Sequence, residues 1–233
     1  GLTMGRELTS LARVASNPEK PCIYVLGGAK PEDSIAIAKY VLENKIADKV
    51  LIGGLLTSLF WTAQGCDLSG PNEDFLKDKD YLKLVPEAKE LLSKYRDKVE
   101  VPEDVAVDAE GERKEISARN LPTKYSIFDI GSRSADRYAK VVKASKTIVL
   151  NGPLGVYEKE PFLAGTKTVF TATAESKAYS LVGGGHTIAA IEKLGLSDKV
   201  SYVSTGGKVL LDLLMGKSLP GVEALKKSAR RFE

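Results

Sequence analysis

One short stretch of the sequence combines the residue types that phosphate binding needs. Gly27 and Gly28 follow an apolar run at Cys22–Leu26, and Lys30 comes soon after the glycines. Pro31 comes next, at a position where the first residue of a helix tolerates a missing N–H. A strand that turns on glycine into a helix presents unpaired backbone N–H groups at the positive end of the helix dipole. With a lysine ammonium at the same corner, the stretch predicts a site for a phosphate group.

The same pattern repeats along the chain, because five predicted strands end in glycine-bearing turns. The turns are Gly27-Gly28, Gly53-Gly54, Gly152, Gly183–Gly185 and Gly206-Gly207. In a parallel sheet the carboxyl ends of the strands lie along one edge, where open α/β sheets bind ligands. Glycine lets the backbone approach a ligand closely and supplies a positive φ where a turn needs it. A tight turn explains any one of these pairs, but all of them at one edge favour a binding site.

The elements that position these turns follow from the spacing of the apolar residues. The predicted strands are Cys22–Leu26, Lys49–Ile52, 99–102, 125–130, 147–150, 179–182 and 200–203. The predicted helices are 2–16, 31 to about 45, 55–64, 86–96, 132–144, one through 187–194 and a last one that ends at 215. Such alternation is typical of a parallel sheet with helices on both faces. We therefore expect a three-layer α/β/α, doubly wound, Rossmann-like fold with about six parallel strands, in one domain over residues 1–233.

The middle of the chain is less regular. Residues 72–81 are polar and charged, and we expect a loop with one helical turn there. Residues 105–108 and 114–118 flank Glu110-Gly111, which is typical of a β-hairpin. We expect this hairpin to be a small surface insertion and not a domain boundary.

Composition narrows the class of protein. The chain has 233 residues, 43% of them apolar and 28% charged, as in ordinary soluble globular proteins. A net charge of +3 is too small to favour nucleic acid as a partner, and no apolar run is long enough to span a membrane. The two cysteines form no disulfide framework or zinc motif, so a reducing cytoplasm is expected. Gly1 stands without an initiator Met or a signal peptide, and whether it follows a processed tag or a cut in a longer chain stays open.

Familiar nucleotide and nucleophile motifs are absent from the sequence. Gly207-Lys208 is followed by Val209, so no P-loop motif is formed there. No G-x-G-x-x-G follows the first strand, which argues against a dinucleotide dehydrogenase, and no nucleophile elbow is present. Any phosphates are therefore expected to bind at several separate helix N-termini.

Six short motifs nevertheless occur in a particular order. They are Gly27-Gly28-Ala29-Lys30, Leu51-Ile52-Gly53-Gly54, Asn151-Gly152-Pro153-Leu154-Gly155-Val156-Tyr157-Glu158, Gly183-Gly184-Gly185-His186-Thr187, Ser204-Thr205-Gly206-Gly207 and Ser218-Leu219-Pro220-Gly221-Val222. Together they resemble the phosphoglycerate kinase family, specifically its C-terminal, nucleotide-binding domain. The resemblance runs from about Gly1 to Leu225. Each motif alone is weak, whereas the ordered set is specific.

The resemblance implies which residues handle the phosphates. Lys30 would contact the phosphoryl group in flight, and Gly184 and Gly185 would donate N–H groups to it; these three are the implied catalytic residues. Thr187 would touch the phosphates beside them. Phosphoryl transfer depends mostly on positioning and charge stabilisation, so a lysine, aimed backbone donors and Mg²⁺ are sufficient.

The resemblance also implies how the rest of the nucleotide is bound. Glu158 would hold the ribose hydroxyls. Asn151 and Pro153 would lie along the triphosphate. The adenine side of the cleft would be lined by Gly28, Ala29, Gly53 and Gly54.

Simpler interpretations of single residues stay open. Lys30 could be a solvated surface lysine, and Glu158 could be one more surface acid. His186 is the only histidine, and a lone histidine is usually not a ligand. We predict that Cys22 and Trp61 pack in the core.

Three positions depart from the family pattern. His186, still expected among the nucleotide-binding residues, stands where most members have an Asp that helps to hold the metal. Because Mg²⁺ prefers oxygen ligands, its protein ligand is unknown, and Mg²⁺ is expected with ATP or ADP as substrate. Ser34 stands where a second phosphate-binding lysine is common, and Lys208 replaces a usual third glycine and is a candidate to restore that charge. His186 and Ser34 together resemble archaeal members of the family.

Nothing in the sequence resembles the family's N-terminal half, which binds 3-phosphoglycerate. The family reaction is ATP + 3-phosphoglycerate = ADP + 1,3-bisphosphoglycerate, a step of glycolysis and gluconeogenesis, and two domains close around the substrates to expel water. We expect this chain to be the half that binds ADP and ATP, with negligible phosphate transfer alone. The alternatives are a stand-alone nucleotide-binding module without catalysis and a dehydrogenase-type Rossmann domain, which the absent fingerprint disfavours.

Overall fold

Short runs of aliphatic residues form the strands of two sheets in the computed structural model, which describes residues 2–217. The strands are β1 (Cys22–Leu26), β2 (Lys49–Ile52), β3 (Val99–Glu100), β4 (Asp104–Ala109), β5 (Glu112–Ser117), β6 (Ile127–Ile130), β7 (Thr147–Asn151), β8 (Tyr179–Gly183) and β9 (Tyr202–Val203). The larger sheet has six parallel strands in the order β3-β2-β1-β7-β8-β9. The predicted six-stranded parallel sheet is therefore confirmed.

Helices cover both faces of this sheet. They are α1 (Leu2–Ser16), α2 (Pro31–Glu43), α3 (Leu56–Ala63), α4 (Pro71–Asp78), α5 (Val85–Lys94), α6 (Ser132–Lys143), α7 (Ala164–Glu175), α8 (Gly185–Lys193) and α9 (Lys208–Leu214). Along β1, Cys22, Tyr24 and Leu26 face a core shared with α1, α2, α3, α5 and α9. Ile23 and Val25 face the opposite core, shared with α6, α7 and α8. The predicted three-layer α/β/α arrangement follows from this alternation and is confirmed.

The smaller sheet is antiparallel, with strand order β5-β4-β6. Its hairpin β4–β5 turns at Glu110-Gly111, as predicted. Our placement of 125–130 in the parallel sheet is wrong, because β6 pairs with β4, with Val105 opposite Ile130. An apolar strand pattern shows that a strand is buried but does not show which strand lies beside it.

Two helices differ from the prediction. Helix α4 occupies much of the stretch 72–81, where we expected a loop with one helical turn. Helix α7 was not predicted at all, because its many threonines and its Gly165 have low helix propensity. Burial of Val169 and Phe170 against the sheet compensates for that low propensity.

The predicted core residues are buried. Cys22 is fully buried in β1, and Trp61 is buried in a third apolar cluster, where its Nε1–H donates to the carbonyl of Pro102 at 2.8 Å. The motif Ser218-Leu219-Pro220-Gly221-Val222 lies outside the described residues. Within residues 2–217, no helix is both long enough and apolar enough to cross a membrane.

Candidate functional site

The parallel sheet reverses its strand order between β1 and β7, and the turns after these two strands are in direct contact. The N–H of Gly27 donates to the carbonyl of Asn151 at 3.1 Å, and that of Gly28 donates to the carbonyl of Pro153 at 2.8 Å. A Cβ on Gly27 would lie 2.3 Å from the Pro153 oxygen, and one on Gly152 (φ +115°) would lie 2.2 Å from the Gly27 carbonyl carbon. Here glycine is required because one backbone packs on another.

The turn after β2 joins the same contact. The N–H of Gly54 donates to the carbonyl of Leu154 at 3.0 Å, and the N–H of Leu55 donates to the carbonyl of Gly28 at 3.3 Å. Gly53 is buried beside them, with no room for a side chain because a Cβ would lie 2.3 Å from Leu154 Cδ2. The three turns after β2, β1 and β7 therefore form one hydrogen-bonded unit at the carboxyl edge.

The turn after β8 differs, because part of it faces open space. The buried hydroxyl of Thr187 accepts from the N–H of Gly152 at 2.7 Å, which attaches the start of α8 to the turn after β7. Gly184 has φ +94° and lies close to the side-chain oxygen of Asn151. Gly185 is exposed, and a Cβ there would meet nothing within 4 Å. The N-terminus of α8 is thus accessible to a ligand.

A cavity of about 370 Å³ opens beside these turns. Several predicted site residues line it, namely Gly28, Ala29, Gly54, Pro153, Glu158 and His186. The opposite wall comes from α4 and β6, including Phe75 and Phe128. The cavity therefore lies between the switch point of the large sheet and the small sheet. Its lining is largely apolar, and its polar residues include Asn72, Glu158 and His186.

The other predicted residues lie beside this cavity and do not line it. Gly53, Asn151, Gly184, Gly185 and Thr187 belong to the turns described above. Lys30 is exposed directly before α2, and its ammonium makes no ion pair with any residue in 2–217. A free cation and the open N-terminus of α8 therefore share the carboxyl edge of the sheet.

Ser34 and Lys208 are the two positions where we expected the charge pattern to depart from that of the family. Ser34 is buried, and its hydroxyl donates to the carbonyl of Gly27 at 3.4 Å, so it supports the first turn. Lys208 is exposed at the first residue of α9, after Gly207. Whether Lys208 replaces the charge that Ser34 lacks stays a prediction.

Sequence reasoning missed part of the cavity wall. Asn72 and Phe75 lie on α4, in the stretch that we expected to be a loop. The Asn72 amide donates to the carbonyl of Tyr125 at 3.0 Å and accepts from the N–H of Ile127 at 2.8 Å, so it fixes α4 to the small sheet. Phe75 is 44% exposed, a large fraction for an aromatic side chain. The sequence offered one signal, an aromatic residue among the polar and charged residues of 72–81.

His186 is paired with the cavity residue Tyr157. The Tyr157 hydroxyl lies 3.0 Å from His186 Nδ1, and the rings meet edge to face with centroids 6.0 Å apart. Burial and the neighbouring Glu158 raise the pKa of the Tyr157 hydroxyl. Among the described residues no group of three or more His, Cys, Asp or Glu side chains could hold a metal ion. These residues therefore do not form a magnesium site by themselves.

An ion pair between a buried aspartate and a partly buried arginine lies beside the cavity. The carboxylate of Asp129 is completely buried and accepts from Arg113 Nη1 at 2.7 Å. It also accepts from the N–H groups of Gly165 at 2.8 Å and Ile130 at 2.9 Å. Burial raises the pKa of Asp129 to about 7, against the opposing effects of the Arg113 guanidinium and the two amides.

The comparisons with known proteins all identify the same family. The family model for phosphoglycerate kinase matches residues 1–217. Phosphoglycerate kinases of Methanococcus maripaludis and Pyrococcus abyssi are 45% and 42% identical over the whole chain. The chain spans only 56% and 58% of their lengths.

Solved structures agree with this result. The crystal structure of phosphoglycerate kinase from Pyrococcus horikoshii OT3 aligns with a TM-score of 0.89 at 42% identity, over 99% of this chain and 57% of that one. The structure of the enzyme from Coxiella burnetii aligns with a TM-score of 0.85 at 34% identity, over 97% of this chain and 58% of that one. The predicted fold is therefore that of these proteins over the part that they share with this chain.

Proposed function

Because the chain belongs to the phosphoglycerate kinase family, we propose that it is the nucleotide-binding half of an enzyme that transfers the γ-phosphoryl group of ATP to the carboxylate of 3-phosphoglycerate. The products are ADP and 1,3-bisphosphoglycerate. The observation that carries this proposal is the cavity between the β1/β7 switch point and the small sheet, with Lys30 and the open N-terminus of α8 at the same edge. Ligands of open α/β sheets bind at this place.

The cavity and the edge suit different parts of a nucleotide. The apolar walls, with Gly28, Gly54 and Phe75, fit the flat base. Glu158 at the rim is the proposed acceptor for the ribose hydroxyls. The phosphates would then extend over Asn151 toward the N-terminus of α8, where backbone N–H groups attract anions.

The residues of this chain would act on the transferred group by charge and position. Gly184 and Gly185 would donate N–H groups to phosphate oxygens, and the Lys30 ammonium would balance the charge that spreads over the oxygens in flight. Mg²⁺ would arrive bound to the nucleotide phosphates as part of the substrate, because the described residues offer no cluster of metal ligands.

Phosphate transfer would require the part of the enzyme that the relatives have and this chain does not match. The acceptor carboxylate must lie in line with the γ-phosphoryl group, and water must be excluded while the group moves. Lys30 and Gly185 are both exposed. We therefore expect ADP and ATP binding by this chain, with negligible transfer until the other half covers the edge.

Titration calorimetry with Mg-ADP tests the binding site. Replacement Lys30→Ala should lower the affinity by about tenfold or more, the usual loss of one charge-assisted hydrogen bond. The control is Lys177→Ala, which removes an exposed lysine next to β8 at the opposite edge of the sheet. Equal affinities of the two variants, or no binding by the wild-type chain, would contradict the proposal.

A coupled kinase assay tests the reaction. The chain should give no measurable turnover alone and should gain turnover when the N-terminal half of a relative such as the Methanococcus maripaludis enzyme is added in trans. Nucleotide binding that is never followed by transfer would favour the stand-alone module instead.

A further inference from the structure

Glu158 lies on a segment whose position does not depend on contacts of the Glu158 side chain. The segment, residues 155–163, connects the turn after β7 to α7 and lines the cavity with Gly155, Val156, Tyr157 and Glu158. The Glu158 side chain is exposed and makes no hydrogen bond or ion pair with any residue in 2–217. The backbone of the segment must therefore set where this carboxylate stands.

The pair formed by the buried Asp129 and the partly buried Arg113 contacts this segment and Gly165 just beyond it. A Cβ on Gly155 would lie 2.5 Å from Asp129 Oδ1, so the carboxylate fits against the start of the segment only because residue 155 is glycine. Just beyond its end, the N–H of Gly165 donates to Asp129 Oδ2. In between, Arg113 Nη1 donates to the carbonyl of Pro161 at 2.8 Å as well as to Asp129.

The strand that carries Asp129 adds a further contact. The N–H of Val156 donates to the carbonyl of Phe128 at 2.7 Å, next to Asp129 in β6. Arg113 is itself oriented, because Nη2 donates to Ile130 and to the Glu115 carboxylate, both at 3.1 Å. The start of the segment and Pro161 near its end are therefore attached to the small sheet, and so is Gly165 just beyond the segment.

We propose that Asp129 and Arg113 are positioning residues for nucleotide recognition, which fix residues 155–163 so that Glu158 meets the ribose. The inference rests on the proposed function, since Glu158 is the nucleotide contact there. Asp129 reaches no ligand itself, because its carboxylate is enclosed and already accepts three hydrogen bonds. The guanidinium of Arg113 is planar, so one group can bridge Asp129 and Pro161 at once, which a lysine ammonium does less well.

A second buried carboxylate of the small sheet provides the matched control. Asp104 accepts from the N–H groups of Arg133 at 3.1 Å and Ser134 at 2.9 Å, at the N-terminus of α6. It makes no hydrogen bond to residues 155–163. Replacement Asp104→Asn therefore perturbs the same sheet without acting on the segment.

The test compares Mg-ADP with Mg-2′,3′-dideoxy-ADP, which lacks the ribose hydroxyls, by calorimetry on the full chain. Wild type should prefer ADP, and Glu158→Ala should abolish that preference. Asp129→Asn should reduce the preference by at least about fivefold although Glu158 is intact, and Asp104→Asn should keep it. The double variant of Asp129→Asn and Glu158→Ala should lose no more affinity for Mg-ADP than Glu158→Ala alone, because the two residues act through one contact.

Other results overturn the inference in distinguishable ways. A full preference in Asp129→Asn, or losses of Mg-ADP affinity that add in the double variant, would overturn the positioning role and leave the proposed function intact. An unchanged preference in Glu158→Ala would overturn the ribose role of Glu158 and the inference together. If Asp129→Asn does not fold, Arg113→Lys decides the question: it keeps the charge beside Asp129, and a retained preference would refute the role of the bridge to Pro161.

Discussion

The two walls of the cavity are held in different ways. At the β1/β7 switch point, backbone donates to backbone, and Gly27 and Gly152 are in contact where no Cβ fits. At the small sheet, charged side chains make the connections, with the buried Asp129 and the partly buried Arg113 in contact with the segment 155–163. The first wall depends on the absence of side chains, and the second depends on two specific ones. Substitutions in the two walls should therefore destabilise the protein for different reasons.

The largest effect is expected at the backbone contact. Gly152→Ala would place a methyl group 2.2 Å from the carbonyl carbon of Gly27, where only backbone could give way. We expect a loss of at least about 4 kcal/mol in the free energy of unfolding, or no folded protein. The control is Gly65→Ala, which also has positive φ (+85°) but open space around it, and should lose about 1 kcal/mol. Urea denaturation measures both, and similar losses would show that φ alone matters.

Asp129→Asn should be the next most damaging change. It removes the buried charge beside the Arg113 guanidinium, which keeps Glu115 as its remaining counter-ion, and we expect a loss of about 2 kcal/mol in unfolding free energy. Asp104→Asn should lose about 1 kcal/mol, because asparagine can still accept at the N-terminus of α6 and Asp104 forms no ion pair with any residue in 2–217. Denaturant unfolding of the two variants side by side checks the difference, and a reversed order would contradict the assignment.

The same carboxyl group should make stability depend on pH. Burial raises the pKa of Asp129 to about 7, whereas an unfolded aspartate titrates near about 4. Between these values the folded chain keeps a proton that the unfolded chain has lost, so the contribution of Asp129 to stability falls as the pH rises from about 5 to about 8. Unfolding curves measured at about pH 5 and about pH 8 should show that the free energy of unfolding decreases more for wild type than for Asp129→Asn. Equal decreases in the two proteins would contradict the raised pKa of Asp129.

Gly185 has open space where a Cβ would lie, in contrast to Gly27 and Gly152. Gly185→Ala adds a methyl group that meets no atom within 4 Å, at the start of α8. We expect unfolding free energy to stay within about 0.5 kcal/mol of wild type. Mg-ADP affinity should nevertheless fall by about tenfold if phosphates approach this turn. Thermal melts together with calorimetry separate the two effects, and unchanged ADP affinity would remove Gly185 from the proposed site.

The smallest effect should be a gain. The buried hydroxyl of Thr57, in the first turn of α3, has no hydrogen-bond partner within the described part of the chain. Thr57→Val replaces it with a methyl group of similar size, and we expect about 1 kcal/mol of added stability because an unsatisfied buried hydroxyl is removed. A lower melting temperature in the variant would show that the hydroxyl is satisfied in solution.

Much of the large sheet could be predicted from the sequence, because its evidence is local. An apolar run followed by a glycine-bearing turn marks five of the six strands, and the predicted bounds of β1 and β2 agree with the structure. The partner of β6 could not be predicted, since pairing with β4 depends on contacts between residues distant in the chain. Helix α7 was missed for a similar reason, because tertiary burial outweighs its weak propensity.

The candidate site could be predicted only in part. Glycine turns show in the sequence, and they lie together at one edge as expected. The glycine at 152 and its partner at 27 are explained by backbone packing, which a sequence cannot distinguish from close approach to a ligand. Asp129 and Arg113 gave no local signal, because each acquires its role only when β5 and β6 meet the segment 155–163. The roles of the site residues and the single-domain interpretation stay predictions.

The glycine contact at the switch point also limits how the protein can evolve. A methyl group on Gly53 would strike the Leu154 side chain, so a smaller residue at 154 could rescue such a mutant. Methyl groups on Gly27 and Gly152 would strike the peptide backbone itself. Every amino acid carries that same carbonyl, so no second mutation at the struck residue can make room. A suppressor screen should therefore recover second-site mutations, such as a smaller residue at 154, for alanine mutants of position 53. For alanine mutants of positions 27 and 152 it should recover only reversion to glycine.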